Sequence, residues 1–174
     1  MREPVTANGL ILFMKALASA ARTPSRVYLV GGASSVLLGW RASTVDIDLK
    51  IIPESDELLR SVPELKERLK INVELAAPDD FIPELPGWRE RSEFVKQEEK
   101  LTFYHYDFYA QALAKIERGH QIDMEDVRHL IKSGRVQPAR LLELFSMIED
   151  QIYRYPDLDQ KTFRQAVERV VKDA

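Results

Sequence analysis

In the first half of the chain one short stretch is continuously apolar and two alternate apolar and polar positions with period two, while apolar positions recur near period 3.6 through most of the rest. Val27 to Val30 is a β-branched and aromatic run that ends at Gly31-Gly32. Thr44 to Ile51 alternates cleanly: Val45, Ile47, Leu49 and Ile51 fall on one side, Asp46 and Asp48 on the other. Ile71 to Leu75 repeats the pattern, with Asn72 and Glu74 opposite Ile71, Val73 and Leu75. These stretches predict three strands. Helical spacing puts Leu10, Phe13, Met14 and Leu17 on one face of an opening helix. A second helix is expected from about Asp56 to Leu69, broken or kinked at Pro63. Glu93 to Gln97 and Lys100 to Tyr106 read as a β-hairpin. From Asp107 onward the pattern is helical. Ser133-Gly134 ends one helix and Pro138 opens another that runs to about Arg154. Asp159 begins a last helix carrying Phe163, Val167, Val170 and Val171.

This order of elements predicts an α/β (α+β) chain: a small mixed sheet with flanking helices over residues 1–106, then a helical lobe over residues 107–174. A cleft is expected between the two lobes. At 174 residues and 45% hydrophobic, the chain is long enough to bury a substantial core. The net charge of −3 argues against nucleic-acid binding by bulk electrostatics. Local basic groups remain around Lys66, Arg68 and Lys70, and around Arg128, Lys132, Arg135 and Arg140; such runs are ordinarily solvated helix faces. The absence of cysteine excludes disulfides and thiolate metal sites, and the three histidines lack zinc-ligand spacing. The apolar run Leu10 to Ala21 is too short to span a bilayer and contains Lys15. A cytoplasmic protein with no membrane association is expected. Neither a Walker lysine nor a nucleophile elbow is present.

The chemistry concentrates between Val27 and Glu74. Glycines at 31 and 32 allow a sharp turn and close approach of a ligand to backbone. A short helix over Ala33 to Leu38 would aim free N–H groups at that ligand, with the Ser34 and Ser35 hydroxyls in its first turn. Asp46 and Asp48 stand roughly 6.6 Å apart along one strand face, so both carboxylates can reach one divalent ion. If the strand of Glu74 pairs beside theirs, a third carboxylate joins them, enough for a two-metal site.

The pattern Gly31-Gly32, thirteen residues, then Asp46-Ile47-Asp48 resembles the DNA polymerase β-like nucleotidyltransferase superfamily. The stretch GGASSVLLGWRASTVDIDL is most similar to its bacterial branch of AbiEii-type toxins and related small nucleotidyltransferases. Arg41, Ser43 and Thr44 match the spacer of that pattern. A second match runs from Asp107 to Ile131, where Lys115, Asp123 and Asp126 occupy motif positions; Arg118, His120 and Gln121 stand where the family carries more arginine.

The resemblance implies the nucleotidyltransferase fold. It also implies transfer of a nucleoside monophosphate from a nucleoside triphosphate to a hydroxyl, dependent on Mg²⁺ or Mn²⁺. Asp46, Asp48 and Glu74 would be catalytic and metal-binding. Gly31, Gly32, Ser35, Arg41, Thr44, Lys115 and Asp123 would bind the nucleotide. A tRNA or a protein would be the acceptor, and an antitoxin protein the partner of a toxin–antitoxin pair. The alternatives are a small-molecule nucleotidyltransferase of the antibiotic-modifying kind, for which Asp79-Asp80 would supply counter-charge, and a catalytically inactive binding module of the same fold. Structural readings stand beside the functional ones: Glu74 as a solvated strand residue, Lys115 snorkelling from the edge of an apolar stripe, Asp123 as a helix N-cap.

Overall fold

The computed structural model describes residues 2–174; Met1, which the expected sheet lobe includes, lies outside the described residues. The elements in chain order are β1 (Val5–Thr6), α1 (Ala7–Ser19), β2 (Ser25–Val30), α2 (Gly32–Leu37), β3 (Ser43–Thr44), β4 (Asp46–Ile52), α3 (Asp56–Leu69) and β5 (Asn72–Glu74). After a 3₁₀ turn (Pro78–Asp80) follow α4 (Trp88–Arg91), β6 (Glu93–Glu98), β7 (Leu101–His105), α5 (Phe108–Arg118) and α6 (Gln121–Lys132). The chain closes with α7 (Pro138–Ile148), prolonged as a 3₁₀ segment (Glu149–Arg154), and α8 (Gln160–Asp173). Contacts divide these elements into two compact units. One comprises the residues up to Ala77 together with Glu93–His105; the other comprises Pro78–Ser92 and Tyr106–Ala174.

The first unit is built on a mixed five-stranded sheet in the order β5-β4-β2-β7-β6. Its central strand β2 runs antiparallel to β4 and parallel to β7. One sheet face is apolar because every second residue of each strand is: Val27, Leu29, Ile47, Leu49, Ile51, Val73, Leu101 and Phe103 are buried there. They pack with Leu10, Phe13, Met14 and Leu17 of α1 and Leu58, Val62 and Leu65 of α3. Thr6 caps α1, its hydroxyl accepting from the Gly9 N–H at 3.2 Å. Ser55 caps α3, and acids in the first turn with bases in the last complement the helix dipole.

Three expectations are corrected here. The expected break at Pro63 does not occur: helix α3 is continuous from Asp56 to Leu69 through that exposed residue. Val45 does not join the buried row of β4 and is 70% exposed, because the chain breaks there between β3 and β4. Leu75 lies past the end of β5 and is also exposed. The pairing of β3 with β1, Val5 opposite Thr44, was not anticipated from the sequence pattern.

The second unit is helical. Phe108, Ala112, Leu113 and Ile116 of α5 are buried, as are Val127 and Leu130 of α6, Leu141, Leu144, Phe145 and Ile148 of α7, and Phe163 and Val167 of α8. Phe145 and Phe163 meet edge to face at 4.8 Å. The residues before α5 are anchored by polar contacts: Asp107 caps it through the Tyr109 N–H and accepts from Arg91 at 2.7 Å. Trp88 stacks on Tyr106 at 4.3 Å. Among the described residues no helix is long and apolar enough to cross a membrane.

Candidate active site on the polar face of the sheet

The turn after β2 is open only to glycine. Gly31 has φ +61° and ψ −127°, a conformation L side chains shun, and a Cβ there would lie 3.7 Å from the Asp48 Oδ2. At Gly32 a Cβ would lie 2.0 Å from the Thr44 hydroxyl oxygen and 3.5 Å from the Arg41 Nη1. The missing Cβ of Gly32 therefore lets the Arg41–Thr44 loop close on the turn, whereas Gly31 is required for its backbone conformation, the Asp48 carboxylate lying at ordinary contact distance from it. The Thr44 hydroxyl donates to the Asp46 carbonyl at 3.1 Å, tying this loop to the start of β4.

The short helix differs from expectation in one respect. Ser34 and Ser35 do stand in its first turn, but both are buried and their hydroxyls face inward. Ser35 donates to the Gly31 carbonyl at 3.3 Å. Ser34 donates to the Leu29 carbonyl at 3.2 Å and lies 2.9 Å from the Nδ1 of buried His105. Ser35 thus braces the turn from beneath, and its carbonyl accepts the N–H groups of Trp40 and Arg41.

The three carboxylates share one sheet face. Strand β5 runs parallel to β4 with Asp46 opposite Asn72 and Asp48 opposite Glu74; on the other side Val30, just before the glycine turn, is opposite Asp48. Asp46 and Asp48 are half-buried and Glu74 is exposed. The Asn72 amide nitrogen donates to both Asp46 Oδ1 at 2.6 Å and Glu74 Oε1 at 3.1 Å, using its two N–H groups.

Among the described residues no group of three or more acidic, histidine or cysteine side chains is arranged to cage a metal ion; Asn72 lies between Glu74 and Asp46. The donor set nevertheless fits the ion that the resemblance implies. Mg²⁺ is ordinarily held by one or two carboxylates and by substrate phosphates rather than by an all-protein cage. Asp46 and Asp48, adjacent on one face and partly open, supply that pair.

Lys115 and Asp123 belong to the second unit and are held there in a buried network. The Lys115 ammonium donates to Asp126 at 2.8 Å and lies 4.0 Å from Asp123. Asp123 accepts a bidentate pair from Arg118 at 2.9 and 2.5 Å. The structural readings of both residues are revised. Lys115 is 8% exposed and does not snorkel to water. Asp123 is fully buried and is not the N-cap of α6, which is His120; it stands in the first turn and its carboxylate accepts from the His120 backbone N–H. Burial alone would raise the Asp123 carboxyl, but the Arg118 hydrogen bonds and the nearby Lys115 charge override it and hold the group below its usual range.

The sequence pattern assigns Asn72 to the face of Glu74, but its amide bridge between Asp46 and Glu74 was not anticipated. The buried contact of His105 with Ser34 was also not anticipated; its only sequence signal is an imidazole at the end of a strand otherwise fit for the core.

A family model described as "Nucleotidyltransferase of unknown function (DUF6036)" matches residues 9–173. Among solved structures, an antigenic nucleotidyltransferase-like protein from Paracoccidioides brasiliensis superposes with a TM-score of 0.50. That similarity covers 95% of each chain at 14% identity, and shows a shared fold. No curated protein sequence matches the chain.

Proposed function

The chain belongs to DUF6036, a family of nucleotidyltransferases of unknown function, and from that premise we propose that it transfers a nucleoside monophosphate from a nucleoside triphosphate to a hydroxyl acceptor. The observation that carries this reading is the joint presence, on one sheet face, of Asp46, Asp48 and Glu74 in register beside a turn that has no Cβ. The acceptor oxygen bonds to the α-phosphorus, the bond from that phosphorus to the oxygen bridging the β-phosphate breaks, and pyrophosphate leaves. Glu74, exposed and tethered through Asn72 to Asp46, is the carboxylate suited to take the hydroxyl proton.

Asp46 and Asp48 are the residues that would hold Mg²⁺ or Mn²⁺, which when bound neutralises phosphate charge. The glycine turn gives phosphate oxygens access to backbone, and the Arg41 guanidinium beside Gly32 supplies positive charge. Thr44 and Ser35 keep the loop and turn in place. In the second unit, Lys115 and Asp123 are assigned to nucleotide binding. A lysine ammonium has three donors, and its bond to Asp126 uses one of them.

The toxin-like reading, with tRNA or a protein as acceptor and an antitoxin as partner, rests on the resemblance of Gly31–Leu49 to the AbiEii-type branch. The test is incubation with α-labelled triphosphates and Mg²⁺ or Mn²⁺ in the presence of total tRNA, a protein extract or an aminoglycoside. Label transfer to one class is expected, and Asp46→Asn with Asp48→Asn should lower it by about 10³-fold or more. Transfer undiminished in that double variant would dismiss the site. Aminoglycoside labelling alone would move the assignment to the small-molecule class. No transfer and no calorimetric binding of any triphosphate with Mg²⁺ would favour the inactive binding module. In the same assay Lys115→Met should raise KM for the triphosphate; an unchanged KM would remove Lys115 from the nucleotide site.

A further inference from the structure

Helices α6 and α8 both pack on α5 but make little contact with each other. Between them lies an open groove of about 380 Å³. Its floor is apolar: Met124, Val127 and Ile131 follow one another at helical spacing along α6, and Val170 faces them from α8. The α6 stripe extends roughly 10 Å, about two turns of helix.

The rims carry the opposite character. Arg128 and Lys132 stand one turn apart on α6, and Arg169 lies on α8, all three exposed. Among the described residues none of the ion pairs engages these three side chains. Asp173 is the acid that also lines the groove. Like charges one turn apart repel, so Arg128 and Lys132 are better accommodated when a counter-charge is brought to them.

We propose that this groove docks an acidic amphipathic helix of a partner protein. Two turns of such a helix set apolar side chains on Met124, Val127, Ile131 and Val170, while its flanking carboxylates meet Arg128 and Lys132 on one wall and Arg169 on the other. A nucleic acid would satisfy the cations but gain nothing from the apolar floor. The acidic helix uses both features. This inference is independent of the catalytic reading, because every residue it uses belongs to the second unit and none is assigned to catalysis or nucleotide binding.

The experiment uses the full chain and a fluorescein-labelled synthetic helix of about 14 residues, with leucines at i, i+3, i+4 and i+7 and glutamates on the flanks. Fluorescence anisotropy should give saturable binding that weakens as salt rises. Arg128→Glu with Lys132→Glu should weaken it by about tenfold or more with the far-UV circular dichroism unchanged. Should that variant lose its fold, Arg169→Glu alone serves the same purpose from the other wall. A control peptide with serines for the leucines should not bind. Equal binding by a peptide with lysines for the glutamates, or by the charge-reversed protein, overturns the proposal. So does sedimentation showing that a second copy of the chain occupies the groove.

Discussion

Gly32 carries a constraint that no other residue type meets. Any Cβ there would collide with the Thr44 hydroxyl and its Cβ at 2.0 and 2.8 Å. Gly32→Ala is therefore expected to cost about 2 kcal/mol through forced movement of the loop, read as a lower midpoint in urea denaturation. Adding Thr44→Gly should return part of the loss, since the two positions are coupled by contact; a double variant that is merely additive would remove the steric explanation. Much of this residue-level picture is legible in the sequence. Period-two alternation alone assigns Asp46, Asp48 and Glu74 to faces of strands, and the register puts those faces together. The direction of the Ser35 hydroxyl was not legible, because a serine in a first helical turn has both a ligand and its own backbone within reach. Nor was the bridging by Asn72, which depends on the pairing of strands 26 residues apart.

At the scale of elements, α5 and α6 are joined by ionic contacts as well as apolar ones. Arg118 and Lys115 of α5 hold Asp123 and Asp126 of α6. The carboxyl of Asp123 titrates below its ordinary value of 3.8 in the folded chain, burial notwithstanding, because of Arg118 and Lys115. Its contribution to stability is thus fully present above that ordinary value, and is lost as pH falls through the lower folded value. Asp123→Asn should consequently be destabilising near neutral pH, with the gap to the parent protein narrowing once the pH drops below 3.8. Urea titrations at a series of pH values check this. A gap that stays constant from about pH 7 to about pH 2 would contradict the linkage. Helix positions were readable here from apolar spacing and punctuation, as with Ser133-Gly134 and Pro138. The ionic partners were not, because an acid near a helix start satisfies capping rules whether or not an arginine reaches it. Strand β1, and the separation of β3 from β4, escaped notice for a similar reason: two residues contain no periodicity to read.

For the whole molecule, the division into units does not follow the chain. Residues 78–92 interrupt the sheet unit and belong with the helical one, their Arg91 and Trp88 meeting Asp107 and Tyr106. Composition gives no hint of this, since the segment reads locally as a proline-marked loop. The modest net charge of −3 likewise averages over separate regions. Carboxylates gather on the polar sheet face, and unpaired cations border the α6–α8 groove, so salt should affect the binding of an anionic partner there more than the total charge suggests.

The parallel pairing of β2 with β7 joins Ser25 to Leu101 and Leu29 to His105. During synthesis the ribosome must therefore release more than a hundred residues before β2 gains its second neighbour. Until then its backbone amides and carbonyls on that side are an open template for wrong partners. The strand that leads into the glycine turn waits longest for its second neighbour, so the nascent chain needs shielding just where the proposed chemistry would reside.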